Sequence, residues 1–138
     1  MPTLEEQKKI IAEAKKKSGI LSILGFAMRA GKLVLGTDRI CDEVRRHGLP
    51  DDGENTAHRP LGVVLLASDA SKNTKKRIRN ACTYYRVECA ELTLSSEELA
   101  ARLGAAATAA CATFDRDFVN GVHRALSKDG QANGRTAE

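Results

Sequence analysis

The sequence predicts an α/β protein, a three-layer α/β/α sandwich around a short four-stranded sheet. Three observations predict it. Four apolar runs of strand length, at 32–35, 61–67, 87–92 and 109–114, alternate with stretches of helical periodicity. Leu61–Ala67 (LGVVLLA) is a continuous apolar run, the pattern of a central strand covered on both faces. The chain has 138 residues, enough for one domain with a sizeable core, and it shows no internal repeat.

The elements follow in order. Thr3 and Glu6 have capping-box spacing and open a polar, Lys-rich helix to about Lys17, with Ile10 and Ile11 as its only strong apolar anchors. Ile20, Leu21, Ile23, Leu24, Ala27 and Met28 recur at helical spacing in a second helix that Gly31 stops. Lys32-Leu33-Val34-Leu35 reads as a strand leading to Gly36. Thr37 or Asp38 then caps a helix with Ile40, Cys41 and Val44 inward and Gly48 as its stop. Leu49–Pro60 (LPDDGENTAHRP) is an exposed polar loop. After the 61–67 strand, Ser68–Ser71 turn the chain into a helix ending near Tyr85, and Val87–Leu92 is the next strand. Ser95 and Glu98 form a second capping box on a helix that carries Leu99 and Leu103 and ends at Gly104. Ala109–Phe114 is the last strand, and Asp115 caps a helix with Phe118, Val119, Val122 and Leu126 along one side. The organisation read from this is a polar helical extension at 1–17, one domain at 18–126 with the 49–60 loop inserted, and a disordered polar tail at 127–138.

Composition narrows the function. Hydrophobic residues make 42% and charged residues 29%, as in ordinary globular proteins. The amino terminus is charged and lacks an apolar signal core, and no apolar run approaches the ~20 residues of a membrane span, so a cytoplasmic protein without a membrane partner is expected. Cys41, Cys82, Cys89 and Cys111 form no C-x-x-C pair and read as small hydrophobes, with no metal implied. His47, His58 and His123 show no spacing suited to nucleophilic or metal chemistry. No P-loop or G-x-G-x-x-G is present, and no cofactor or small-molecule substrate is expected. Asp69, just after the apolar strand, is the one candidate acid/base group, but an Asx-type turn explains it better, so no catalytic residue is assigned.

Charge is the informative feature. The net charge is +4. Between Ala70 and Val87 lie Lys72, Lys75, Lys76, Arg77, Arg79 and Arg86 without one acid. At 100° per residue, Lys72, Lys75, Lys76, Arg79 and Arg86 fall within an arc of about 100°, apart from an apolar stripe of Ile78, Ala81, Cys82 and Tyr85. Like charges three and four residues apart repel, so an unbroken cationic stripe suggests a phosphate backbone as counterion, although a plain solvated face is the simpler alternative. Gly36-Thr37-Asp38 and Ser68–Ser71 each follow a strand and open a helix, where free amides and the helix dipole favour an anion; ordinary capping by Thr37, Ser71 and Asp115 is the competing explanation. With no Trp, two Tyr and three Phe, a base-stacking platform is poorly supplied, so charge and backbone contacts must carry any RNA binding.

Four segments together carry a family resemblance: ILSILGFAMRAGKLVLGTD (Ile20–Asp38), LGVVLLASDASKNTKKRI (Leu61–Ile78), NACTYYRV (Asn80–Val87) and SSEELAARLG (Ser95–Gly104). They resemble the small bacterial YlxQ-like proteins, a branch of the kink-turn-binding ribosomal proteins, over roughly Ser18–Leu126 apart from the 49–60 loop. The resemblance implies a mixed four-stranded sheet and a structured RNA as partner, with ribosomal RNA or the ribosome among the candidates. It implies an RNA-contacting surface from Gly36, Thr37, Asp38, Arg39 and Asp42, completed by Ser71 and Lys75 and by Leu103, Gly104 and Ala105; the cationic stripe adds Lys72, Lys76 and Arg79 to the candidate surface, and Lys32 is a further candidate. The chain departs from the family pattern Gly-Thr-Asn-Glu, with Lys three residues on, by reading Gly36-Thr37-Asp38-Arg39 and then Asp42. Ionised Asp38 only accepts hydrogen bonds, Asp42 adds a negative charge, and Arg39 offers a guanidinium fork to phosphate or guanine. The alternative function is a protein-interaction adaptor on the same fold, contacting partners through the Lys-rich first helix and the acidic loop.

Overall fold

A computed structural model describes residues 3–48, 61–104 and 108–126, with the backbone alone over 9–17. The elements are α1 (Leu4–Arg29), β1 (Val34–Leu35), α2 (Thr37–His47), β2 (Val63–Leu66), α3 (Lys72–Tyr85), β3 (Glu88–Glu91), α4 (Ser96–Leu103), β4 (Ala110–Thr113) and α5 (Arg116–Leu126). The 49–60 loop, the 127–138 tail and Ala105 lie outside the described residues.

Helix starts follow local chemistry. The Thr3 hydroxyl accepts from the Glu6 N–H at 3.1 Å and Glu6 Oε1 accepts from the Thr3 N–H at 2.8 Å, the capping box expected. Ser95 and Glu98 repeat it at α4, and Asp115 Oδ1 accepts from the N–H groups of Asp117 (3.0 Å) and Phe118 (3.4 Å) at α5. One expectation fails: the two N-terminal helices are one continuous 26-residue helix, α1. Gly19 in a helix interior costs about 1 kcal/mol against Ala. Burial of Ile20, Leu24 and Ala27 just beyond it outweighs that cost.

The sheet order is β1-β4-β2-β3, with β4 antiparallel to both neighbours and β2 parallel to β3. The sheet is therefore mixed, as the resemblance implies. Helices cover both faces. On one, Ile20 and Leu24 of α1, Leu99 and Leu103 of α4, and Val119, Val122 and Ala125 of α5 pack on Val63, Leu65 and Cys111. On the other, Ile40 and Val44 of α2 and Ile78 and Cys82 of α3 pack on Val64, Leu66, Ala110 and Ala112. The alternation splits β2 between two cores, so all four of its side chains are buried. At about 1.5–3 kcal/mol for each large apolar side chain removed from water, this strand anchors the fold.

Candidate nucleic-acid interface

Sheet topology decides what the helix-opening turns share. Since β4 runs antiparallel to β1 and β2, and β3 runs parallel to β2, strands β1, β2 and β3 point the same way. Their C-terminal ends, and with them the turns into α2, α3 and α4, lie along one edge of the sheet. β4 alone separates β1 from β2, so the C-terminal ends of these two strands, at Leu35 and Leu66, stand roughly 10 Å apart, two strand spacings. The turns are tied together. Ser68 N–H donates to the Leu94 carbonyl at 2.8 Å and Ala67 N–H to Ala109 at 2.9 Å. Asp69 accepts from both the N–H (2.8 Å) and the hydroxyl (3.2 Å) of Ser96. Asp69 therefore does not close an Asx turn in its own loop but caps the start of α4, with both carboxylate oxygens engaged.

The opening of α2 differs from the sequence expectation. Its cap is Gly36, at φ 97° and ψ 135°, and no side chain caps the turn; Thr37 and Asp38 are the first helical residues. A φ of this sign strains any residue with a Cβ, which explains glycine here. The first amides of α2, at Thr37, Asp38 and Arg39, are thus left as open donors at the positive end of a helix dipole. Asp38, 86% exposed, accepts from Arg77 of α3 at 2.9 Å, which raises the Arg77 pKa through that hydrogen bond and its charge.

At α3, Ser71 is the cap, its hydroxyl accepting from the Thr74 N–H at 3.1 Å as the capping alternative expects. No acid stands in the first turn, and Lys72, Lys75 and Lys76 crowd the end where the dipole is already positive. The sequence did not reveal what the stripe faces. Glu91, at the end of β3, accepts from Lys75 Nζ at 2.9 Å and from Arg79 Nη2 at 2.8 Å, and these bonds hold its carboxyl below the usual carboxylate range. Lys75 Nζ also donates to the Ser68 carbonyl at 3.0 Å, and its side chain is only 20% exposed. The stripe thus divides into Lys72 and Lys76, exposed, and Lys75 and Arg79, drawn toward β3. Arg86 leaves the stripe, since it sits past the helix end in the left-handed region at φ 65°. Glu91 could have been suspected once β2 and β3 were read as parallel strands joined by α3, because an acid at the end of β3 then lies within reach of the first turns of α3.

The remaining expected residues are placed unevenly. Lys32 is exposed but precedes β1, about 13 Å of extended chain from Gly36, at the opposite end of that strand. The Leu103 side chain is buried in the core, so only its main chain can face a ligand. Gly104 ends α4 in the left-handed region at φ 72°.

Other chemistry is structural. Burial pushes the Cys111 thiol up to about 12. A hydrogen bond to Cys89, together with burial, raises Cys82, so neither thiol is a ready nucleophile. His47 stacks on Phe114 with ring centres 4.5 Å apart, and His123 lies 2.7 Å from Glu88. Among the described residues no group of His, Cys, Asp and Glu could hold a metal ion, and no helix is long and apolar enough to cross a membrane.

No family model matches the chain. It is 33% identical over 84 residues to the RNA-binding protein YlxQ of Enterococcus faecium, a match covering 61% of this chain and 69% of that one. To the RNA-binding protein YlxQ of Bacillus subtilis (strain 168) it is 33% identical over 98 residues, covering 71% and 85%. Among solved structures, a protein of unknown function from Bacillus halodurans superposes with a TM-score of 0.63 at 22% identity, covering 78% of this chain and 96% of that one. The Giardia lamblia 15.5kD RNA binding protein superposes with a TM-score of 0.58 at 14% identity, covering 82% and 86%. At such identities the two superpositions speak for the fold.

Proposed function

The chain belongs to the YlxQ family, whose matched members are named RNA-binding proteins, and we propose that it is itself a non-enzymatic RNA-binding protein acting in the cytoplasm. Its ligand is a structured RNA, of kink-turn-like shape or within ribosomal RNA. The observation that carries this reading is the shared edge: the uncapped amides of α2 and the lysine-rich start of α3 open on the same side of the sheet, bridged by the Arg77–Asp38 pair.

The division of labour follows from chemistry. Open N–H groups at Thr37, Asp38 and Arg39 suit phosphate or base-edge acceptors held at fixed geometry. Lys72 and Lys76 supply charge that reads no sequence. Arg39 is the residue equipped to fork onto a phosphate or a guanine edge. Asp38 and Asp42 place acids beside this donor set, so the RNA need not be the one preferred by relatives with an amide and a lysine there.

Retention of three labelled RNAs across a salt series tests the reading: a kink-turn, the same RNA with its bend abolished, and a plain duplex of equal length. Binding that weakens steeply with salt and favours a bent RNA is the expected result. Absence of retention at low salt would defeat it.

A further inference from the structure

We propose that Glu91 is a built-in counter-anion that competes with RNA phosphate for Lys75 and Arg79, and so sets how much of the α3 charge an RNA can use. The inference rests on the RNA-binding reading and adds a residue outside the surface so far assigned to it.

The geometry singles this carboxylate out. β3 is the outer strand of the sheet, and successive residues along it face opposite sides. Cys89 and Glu91 face α2 and α3, whereas Glu88 faces α5 and meets His123. In register, Glu91 is level with Leu66, the last residue of β2, so it stands at the same edge as the turns that open α2 and α3. There it takes one cation on each oxygen, Lys75 on Oε2 and Arg79 on Oε1. It is also the acid that α3 itself lacks, supplied by another strand.

The pairs are poised for exchange. The side chains of Arg79 and Glu91 are 50% and 36% exposed, and pairs this exposed contribute little, because water and salt screen them. A polyphosphate offers more, since every phosphate neutralised releases a condensed counterion. An incoming phosphate can therefore displace Glu91 from Arg79, but it must then tolerate a carboxylate nearby. Lys75 is less free, as its second bond to the Ser68 carbonyl holds it to the turn whether or not Glu91 is paired. The consequence is a threshold. Weakly charged or poorly placed RNA leaves the pairs intact, while a closely fitted phosphate backbone opens them.

Glu91→Gln isolates the effect, because the amide oxygen can still accept from Lys75 or Arg79 while the charge is gone. Asp117→Asn makes the same change in net charge on α5, which follows β4 at the opposite edge of the sheet. Anisotropy of a labelled kink-turn RNA, read across a salt series with the wild type and both variants, is the measurement, with thermal melts to show that all three are folded. Glu91→Gln should tighten binding about three- to tenfold at low salt and steepen the salt dependence by roughly one phosphate equivalent, with Asp117→Asn within twofold of wild type. Affinity and slope for Glu91→Gln equal to those of Asp117→Asn would overturn the inference, as would weaker binding, which would make Glu91 a support that positions Lys75 and Arg79 for the RNA. Wild type that retains no RNA at low salt would sink the RNA reading itself, and the inference with it.

Discussion

Helices α2 and α3 lie side by side on one face of the sheet and open at the same edge, yet they manage charge in opposite ways. α2 carries three acids (Asp38, Asp42, Glu43) against three arginines (Arg39, Arg45, Arg46), and much of this cancels within the helix. Arg45 meets Asp42 at 3.2 Å, Arg46 meets Glu43 at 3.1 Å, and His47 lies 3.2 Å from Glu43. α3 carries five cations and no acid, and three of them reach to other elements for partners: Arg77 to Asp38, Lys75 and Arg79 to Glu91. Position in a helix therefore says where a cation sits, not whether it is free to meet a ligand. The surplus that remains on α3 is Lys72 and Lys76, beside amides that α2 leaves uncapped.

The contrast can be broken at several points. The largest effect is expected from Lys72→Glu with Lys76→Glu. Binding of structured RNA should fall about 30- to 100-fold at low salt and the salt slope by roughly two phosphate equivalents, as measured by filter retention. Arg39→Ala should cost about five- to tenfold for a bent RNA and much less for a plain duplex, a difference that anisotropy with both ligands would show. Asp38→Asn removes an acid from the donor set and releases Arg77, so the same assay should show tightening of about two- to threefold. Arg45→Gln with Arg46→Gln should leave binding within about twofold, because those charges are already cancelled along α2. A tenfold loss there would mean that the C-terminal turn of α2 contributes charge after all.

The smallest effect is on stability against pH. Lys75 and Arg79 hold the Glu91 carboxyl below its usual range, so the pairing stabilises the fold fully above the unfolded carboxylate pKa of about 4.3 and is lost as pH falls through the lower folded value. The difference in Tm between wild type and Glu91→Gln should be flat above about pH 5 and shrink in more acidic buffer.

Much of this fold is legible in the chain because its signals are local. Both capping boxes, the Asp115 cap, the fully buried β2 and the αL glycine ending α4 follow from residues within a few positions of one another. Failures arise where a distant contact overrides a local preference. The first helix does not end near Lys17, because α1 runs on through Gly19 into packing against α4 and α5. Thr37 and Asp38 look like caps, but Gly36 takes the role and Asp38 turns to Arg77 instead. Asp69 looks like a turn residue and spans 27 positions to Ser96. The candidate surface shows the same limit: the cations of α3 were visible in the sequence, while Glu91, 16 positions beyond Lys75, was not.

The glycine that opens α2 has a consequence for heredity. On the proposed reading a ligand there would grip peptide N–H groups, which every codon except those for proline provides. Substitutions at 37–39 can recolour the rim of the grip, trading one preferred RNA for another, without deleting the grip itself. Only the glycine beneath it cannot be exchanged freely, so drift in this region should change which RNA is chosen sooner than whether one is held.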